Sequence, residues 1–350
     1  MPQKQTSDET DLRNYLRRLP KAELHLHIEG TLEPELLFEL AQRNGINPLH
    51  PSVEALREAY QFDDLQSFLD LYYAGADVLL TRQDFHDLAM AYMRRAHADG
   101  VVHTEIMFDP QTHTMRGVPI ETVFSGLADG LREARETLGI SSYLLMSFLR
   151  HLSEDEAMQT LEAALPLREA YQDLWVGIGL DSAEHGNPPE KFARVYARCK
   201  ALGFKLVAHA GEEGPAEYVR TAVETLGVAR IDHGVRSSDD PAVLQLLIDR
   251  KIPLTVCPLS NLKLKVVDDL ANHNLAKLLR QGALVTINSD DPAYFGGYVL
   301  DNYMAGACAL HLSHDELTTL AGNSIQASFL PKAEKNALLE RLAKVVRQAS

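Results

Sequence analysis

The sequence predicts an α/β chain whose eight parallel strands close into a (β/α)8 TIM barrel, because short apolar runs alternate with longer helical segments. Eight such runs occur, and each ends in polar residues or glycine. They lie at 22–28, 101–108, 142–149, 175–180, 205–209, 230–233, 253–257 and 283–288. Eight strands that read as almost continuously apolar favour a closed barrel. No Gly-x-Gly-x-x-Gly follows the first run, which argues against an open dinucleotide-binding sheet.

About 70 residues separate the first two runs, more than a single crossover needs. Their apolar spacing is helical, so we interpret 31–100 as inserted helices. An insertion after a barrel strand lies at the carboxyl ends of the strands, where active sites of this fold occur. We therefore expect 31–100 to cover that face. No linker or repeat divides the chain, so 1–350 is predicted to be one domain.

Charge and cysteine content restrict the partners and the compartment. The chain has 34 basic and 49 acidic residues, for a net charge of −15. This balance argues against binding to nucleic acid or to an anionic membrane, whereas a small neutral substrate fits it. Three scattered cysteines predict no disulfide framework, and neither a signal peptide nor a membrane span is apparent. The sequence thus predicts a cytoplasmic protein, and leaves a homo-oligomer open.

The first candidate for chemistry is the segment AELHLHIEG at 22–30, which contains the first apolar run. His25 and His27 are two residues apart on a predicted strand, so their side chains point to the same side and can chelate one metal ion. A pair of structural histidines explains His-x-His alone equally well. Glu29 and Gly30 favour a metal site over a structural pair, because a glycine directly after a strand suits a site open to a ligand.

Further polar residues end the fifth, sixth and eighth runs. His209 can be a third nitrogen ligand, and Glu212 stands where a carboxyl group can move protons without binding metal, whereas Glu213 reads as a helix cap. His233 ends the sixth run, and Asp290 and Asp291 end the eighth. Asp before Pro alone usually builds a turn, so each of these signals is weak in isolation.

The joint pattern carries the inference, because all these side chains fall at carboxyl ends of predicted barrel strands. Three imidazoles and one carboxylate suit Zn²⁺, which lowers the pKa of a water molecule towards neutrality. We predict no functional role for six histidines outside this pattern: His86, His97, His185, His273, His311 and His314.

The motifs HLHIEG, HAGEEG, DHG and SDDP resemble, in order and across nearly the whole chain, those of the adenosine and adenine deaminase family of metal-dependent barrels. The resemblance implies one zinc ion per chain, held by His25, His27, His209 and Asp290. It also implies that Glu212 donates a proton to N1 of a purine, that His233 orients the attacking water, and that Asp291 hydrogen-bonds N7. The implied reaction is hydrolytic loss of ammonia from C6.

Two departures from the adenosine-cleaving branch favour the free base as substrate. That branch typically has Leu-Asp-Gly after the two histidines, with the Asp near the ribose; here Glu29 is one methylene longer and is expected to occupy sugar space. In the segment GLDSAEHGNPP, Ser182 stands where a glycine typically lies against the purine. Both features resemble the adenine deaminase branch, so the expected reaction converts adenine to hypoxanthine, with adenosine as the alternative.

Two other classes of protein remain as alternatives. A binuclear hydrolase of the same barrel type needs a bridging carbamylated lysine at the end of the fourth strand, but Gly179, Leu180 and Asp181 stand there. A non-catalytic metal-binding or ligand-binding barrel would not need Glu212 and His233 beside a complete set of ligands. A mononuclear deaminase therefore fits the sequence best.

Overall fold

The computed structural model describes residues 7–62 and 64–349, and it confirms the predicted barrel. The eight strands are parallel, and each pairs with the next one along the chain. They are β1 (Lys21–Glu23), β2 (Val101–Phe108), β3 (Ser141–Leu149), β4 (Trp175–Asp181), β5 (Lys205–Ala210), β6 (Arg230–His233), β7 (Leu254–Val256) and β8 (Val285–Ile287).

The barrel closes between its first and last strands, just beyond their carboxyl ends. The backbone N–H of His27 donates to the carbonyl of Asp290 at 3.0 Å, and the N–H of Asp290 donates to the carbonyl of His25 at 3.1 Å. These two bonds form an isolated parallel bridge between Leu26 and Asp290. The segments that carry three predicted ligands are thus hydrogen-bonded to each other.

Strands β2 and β6 have the predicted bounds, whereas β1 ends at Glu23 although the apolar run continues to residue 28. Beyond Glu23 the chain pairs with its neighbours only through the single bridges of Leu26 to Asp290 and of His27 to Met107. The segment is therefore held on both edges without continuous strand pairing. This arrangement still brings His25 and His27 to one site, as described below.

Four helices lie between β1 and β2, within the predicted insertion. Together with the amino-terminal helix they are α1 (Ser7–Arg18), α2 (Pro34–Asn44), α3 (Val53–Ala59), α4 (Leu65–Ala76) and α5 (Arg82–Ala98). Helix α4 begins at a capping box, in which Asp64 accepts from the N–H of Ser67 and the Ser67 hydroxyl accepts from the N–H of Asp64. This cap fixes the start of the helix whose side chains reach the cavity described below.

The remaining α-helices follow β2 and the later strands. They are α6 (Pro110–Thr114), α7 (Ile120–Leu138), α8 (Glu154–Ala164), α9 (Ala193–Ala201), α10 (Ala216–Thr221), α11 (Pro241–Arg250), α12 (Pro258–Lys263), α13 (Leu275–Arg280), α14 (Pro292–Phe295), α15 (Val299–Leu310), α16 (His314–Ala327) and α17 (Lys332–Ala349). Short 3₁₀ turns lie at Glu29–Thr31, Leu165–Leu167, Pro189–Phe192, Val235–Asp239 and Leu270–Asn272, and a π-helical turn at Ala222–Leu226. Within 7–62 and 64–349, no helix has the length and apolar character that crossing a membrane requires.

Candidate active site

Four side chains that the sequence singles out as ligands converge at the carboxyl end of the barrel. The Nε2 atom of His209 lies 3.0 Å from Nε2 of His25 and 3.2 Å from Nε2 of His27. Oδ1 of Asp290 lies 3.2 Å from Nε2 of His25 and 3.5 Å from Nε2 of His27. Donors bound tetrahedrally at zinc distances stand roughly 3.3 Å apart. The four side chains therefore fit one zinc ion.

Hydrogen bonding alone does not explain this cluster. The Nε2 atom of His209 faces two other imidazole nitrogens, and a single proton cannot satisfy both contacts. Burial, followed by the charge of His25 and His27, holds the pKa of His209 well below its ordinary value. A neutral imidazole has the lone pair that a metal ligand needs.

Each liganding histidine has an oxygen atom facing its second ring nitrogen. Nδ1 of His25 lies 3.0 Å from the carbonyl of Thr255, so it donates there and leaves Nε2 free for metal. Nδ1 of His27 lies 3.4 Å from Asp181, and Nδ1 of His209 lies 3.8 Å from Asp232. The hydrogen bond to Thr255 orients the ring of His25, as outer partners of metal ligands do, whereas the carboxylates near His27 and His209 lie beyond hydrogen-bond distance.

Backbone strain concentrates at this site. Within 7–62 and 64–349, six non-glycine residues have a positive φ, and three of them are predicted site residues. They are Ser182 at 73°, His233 at 61° and Asp290 at 64°. Such left-handed conformations cost free energy in side-chain-bearing residues and persist where the surrounding structure imposes them. Here they coincide with the ends of β4, β6 and β8, from which these side chains reach the site.

Glu212 and His233 lie beside the four ligands. Nε2 of His233 is 3.3 Å from Oε2 of Glu212 and 3.6 Å from Oδ2 of Asp290. Burial, reinforced by the charge of Asp290, raises the pKa of Glu212 well above its ordinary value and so favours the protonated carboxyl group. Burial also lowers the pKa of His233 to about 3, which leaves that ring neutral.

A buried carboxylate that the sequence left without a role fixes the loop that carries Glu212. Glu184 accepts hydrogen bonds from four successive backbone N–H groups, those of residues 211–214, at 2.6 to 3.0 Å. Arg150, also buried, donates to the carbonyl of His209 at 2.7 Å. Four donors on one carboxylate hold the loop in a single conformation. Neither residue could be assigned this role from sequence, because the partners lie 27 or more positions away.

A cavity with about 400 Å³ of space outside the atoms, part of it open to solvent, lies at this cluster. Its polar and tyrosine lining consists of His27, Tyr72, Tyr73, Asp109, Asp181, Ser182, His209, Glu212, His233, Asp290 and Asp291. Its apolar lining consists of Leu65, Phe68, Leu69, Leu264 and Phe295. Helix α4 of the insertion supplies five of these residues. The cavity is small, and it combines apolar and aromatic walls with a few polar groups, which suits a small aromatic substrate.

Asp291 lies in the cavity wall with Oδ1 lacking any partner in the protein. Burial and the charge of Asp290 raise its pKa well above the ordinary value and so favour the protonated form, which can donate a hydrogen bond. Its position depends on Gly30, since a Cβ at residue 30 would collide with the carboxyl group of Asp291. The glycine of HIEG is thus required by the close approach of a second site residue.

We expect Gly30→Ala to weaken substrate binding, because Asp291 would have to move away from its position in the cavity. Loss of one hydrogen bond from this group costs about 1.5–3 kcal/mol, or roughly 10- to 150-fold in kcat/KM. Steady-state kinetics with the expected substrate, alongside metal content, would measure the effect. Gly306→Ala is the matched control, since its Cβ would meet no atom closer than 3.8 Å and should be silent. Equal kinetics for the two variants would contradict this role of Gly30.

Glu29 lies behind the cavity wall. Its carboxylate accepts from Nε2 of His113 at 2.8 Å and from the N–H of Asp109 at 3.2 Å, and the hydroxyl of Tyr72 donates to it at 3.4 Å. Burial opposes ionisation of Glu29, but His113 outweighs it and lowers the pKa of the carboxyl group. The carboxylate therefore supports Asp109 and Tyr72, and any exclusion of a sugar by Glu29 acts through those two residues.

Ser182 lies in the cavity wall, as expected for a residue beside the substrate. Its hydroxyl lies 2.7 Å from Nδ1 of His151 and 3.0 Å from the hydroxyl of Tyr73. Tyr73 belongs to α4, whereas Ser182 follows β4. This contact joins the insertion to the barrel across one side of the cavity.

Sequence reasoning also missed two buried polar residues beyond His233. His273, for which no role was predicted, is only 4% exposed and hydrogen-bonds to Asn261, which in turn contacts His233. The expectation that His273 only packs or faces solvent is therefore incomplete. Its partner is 12 residues away on another element, and no local pattern marks the pair.

A parallel barrel that gathers three imidazoles and a carboxylate, with two further buried carboxyl groups beside them, has the site of a metal-dependent hydrolase. A family model described as adenosine deaminase matches residues 20–345. The chain belongs to this family, and its relatives place it in the adenine deaminase branch. The resemblance found in the motifs is thereby confirmed.

Several relatives support this placement. The chain is 58% identical over 330 residues to an adenine deaminase of Acinetobacter baylyi, covering 94% of this chain and 98% of the relative. It is 60% identical over 324 residues to an adenine deaminase of Cupriavidus pinatubonensis, covering 93% and 91%. The crystal structure of an adenine deaminase from Arthrobacter aurescens superimposes with a TM-score of 0.91 at 53% identity, covering 94% of this chain and 99% of that one.

A more distant solved structure bears on the metal. An amidohydrolase from Burkholderia ambifaria, solved with bound zinc, is 26% identical with a TM-score of 0.88, covering 99% of this chain and 96% of the other. Together with the buried His and Asp donors, it supports the predicted single zinc ion.

Proposed function

We propose that this chain hydrolyses adenine to hypoxanthine and ammonia, as a purine salvage enzyme. The observation that carries the proposal is the position of Glu212, whose Oε1 atom has no partner in the protein, in one small cavity with a complete zinc-ligand set. A structural metal site needs no such proton donor. The adenine deaminases among the relatives, at 58% and 60% identity, support the choice of substrate.

His25, His27, His209 and Asp290 would hold one zinc ion. That ion would lower the pKa of a water molecule towards neutrality and so supply the nucleophile. Oδ2 of Asp290 faces Nε2 of His233 at 3.6 Å and would accept the proton released in forming that nucleophile. Oδ1 of Asp290 faces His25 and His27, whereas Oδ2 faces His233, so one oxygen can ligate while the other accepts a proton.

Glu212 donates its proton to N1 of the purine, which makes C6 more electrophilic. Oε1 of Glu212 has no partner within the protein and lies in the cavity, where N1 can receive the proton. His233 orients the attacking water from the neighbouring position. Asp291 donates a hydrogen bond to N7, which a neutral carboxyl group can do and a carboxylate cannot.

The preference for a free base rests on the walls of the cavity. Tyr73, Ser182 and His151 form a continuous hydrogen-bonded set across one side. Glu29 secures Asp109 and Tyr72 from behind. A ribose on N9 needs space that these side chains fill. Adenosine is the alternative substrate, and these side chains would have to move apart to admit its ribose.

The decisive experiment is to mix zinc-replete protein with adenine and, in parallel, with adenosine, following ultraviolet absorbance and released ammonia. We expect turnover of adenine alone. Turnover of adenosine alone would leave the zinc chemistry intact but refute the assigned roles of Glu29 and Ser182. If neither purine reacts, the proposed activity is wrong.

We also propose that residues 1–350 form one domain, with 31–100 as a helical insertion over the carboxyl face of the barrel. The contribution of α4 to the cavity lining supports this organisation. A cytoplasmic location fits the three cysteines, all of which are free thiols. Size-exclusion chromatography with light scattering would establish whether the chain forms a homo-oligomer.

A further inference from the structure

A chain of hydrogen bonds connects the start of α13 to His233. The backbone N–H of Leu275 donates to Nδ1 of His273 at 3.0 Å. Nε2 of His273 lies 3.1 Å from Oδ1 of Asn261, and Nδ2 of Asn261 lies 3.3 Å from Nδ1 of His233. All these contacts are buried. They approach His233 on the side opposite Glu212 and Asp290.

The direction of every bond in this chain follows from its first donor. A backbone N–H can only donate, so Nδ1 of His273 accepts and the ring proton of neutral His273 is on Nε2. That proton is donated to Oδ1 of Asn261, which turns the Asn261 amide nitrogen towards His233. Nδ1 of His233 therefore accepts, and its proton is on Nε2.

We propose that Asn261 and His273 are positioning residues, which hold neutral His233 in the tautomer whose Nε2–H points at the reacting centre. The inference rests on the proposed deaminase function and specifies how His233 acts in it. Neutral His233 is then a hydrogen-bond donor to the attacking oxygen and is not free to accept its proton through Nε2. This leaves Asp290 as the acceptor.

The alternative tautomer is opposed at both ends of the ring. With its proton on Nδ1, His233 would meet the amide hydrogens of Asn261 at one nitrogen and turn the lone pair of the other towards Oδ2 of Asp290. Rotating the Asn261 amide by half a turn would give Nδ1–H of His233 an acceptor. It would also place the amide hydrogens of Asn261 against Nε2–H of His273, where two donors face each other. His273 cannot adapt, because the N–H of Leu275 occupies its Nδ1.

Nδ1 of each ring accepts a hydrogen bond, so each ring carries a single proton and its tautomer is the relevant variable. Neither Asn261 nor His273 is among the residues that line the cavity. Their effect on the reaction must therefore pass through His233.

The direct test is the ¹⁵N NMR spectrum of histidine-labelled, zinc-loaded wild-type protein, with the His233 signals assigned by their loss in His233→Ala. We expect shifts typical of a neutral ring with hydrogen on Nε2. Hydrogen on Nδ1 would overturn the proposal. Because this readout does not depend on turnover, it is independent of whether adenine is the substrate.

Asn261→Asp supplies the kinetic test, because a carboxylate of the same shape can only accept from His233. The variant should move hydrogen to Nδ1 and lower kcat roughly 100-fold, as loss of one donor to a developing oxyanion does, with KM and zinc content near wild type. Asn272→Asp, an exposed change beside His273, is the charge control and should be silent. Unchanged kcat in a folded, zinc-loaded Asn261→Asp protein would contradict the proposal.

A second variant and a double-mutant cycle separate positioning from structural support. His273→Phe removes the donor that orients Asn261, so both tautomers become accessible and kcat should fall less than in Asn261→Asp. In a His233→Ala background, Asn261→Asp should have no further effect on kcat. An equal loss in both backgrounds would show that Asn261 acts independently of His233 and would refute the assignment.

Discussion

His209→Ala is expected to abolish zinc binding and, with it, activity. His209 is the ligand whose Nε2 atom faces both His25 and His27, so its removal opens the centre of the set. Loss of an outer partner of a metal ligand typically costs 10- to 100-fold in affinity, and loss of a ligand itself should exceed about 100-fold. Metal analysis after dialysis and turnover of adenine would measure both effects.

The control for this variant is His97→Ala, which removes an exposed imidazole from α5. It should retain a full complement of zinc and wild-type turnover. Added zinc should raise the melting temperature of the metal-free wild type and of His97→Ala, but not of His209→Ala, because only a protein that binds the ion is stabilised by it. Full zinc occupancy in His209→Ala would refute its assignment as a ligand.

Glu212→Gln is expected to retain zinc and lose between about 10² and 10⁴ in kcat, the range that general acid–base groups contribute. Glutamine preserves the shape and can donate a hydrogen bond to N1, but it cannot transfer a proton. Zinc content and kcat for adenine, determined on the same preparation, separate this effect from loss of the metal.

Glu213→Gln is a closely matched control, because the neighbouring carboxyl group is half-buried and does not line the cavity. The two variants change the same chemical group at adjacent positions of one loop. If Glu213→Gln were as inactive as Glu212→Gln, the loop and not the Glu212 proton would account for the loss.

The strand ends and the polar residues that follow them could be predicted from sequence, because both signals are local. The bounds of β2 and β6 and the convergence of His25, His27 and His209 follow from apolar runs and from the rule that barrel sites lie at carboxyl ends. β1 ends at Glu23, earlier than predicted, because the residues that follow it form only two isolated bridges, Leu26 to Asp290 and His27 to Met107. The periodicity of a sequence does not reveal such differences in strand pairing.

The supporting residues escaped sequence reasoning for a different reason. Glu184 and His273 act through partners on other elements, and nothing in their immediate neighbours distinguishes them from ordinary polar positions. Glu29 is the opposite case, a residue that the sequence singled out but whose contacts it could not reveal. Its motif drew attention to it, but only the fold shows that His113 and Asp109 bind its carboxylate away from the cavity.

The bridge that closes the barrel has a consequence for how the protein holds its metal. Leu26, between two ligands, pairs with Asp290, itself a ligand, so the metal joins the same two chain segments that the backbone bonds join. A bound ion would therefore cross-link the segments that follow the first and last strands, which are far apart in the sequence. Local opening of the barrel between these two segments would weaken several coordination bonds at once. Metal affinity and the stability of the closed barrel are therefore coupled.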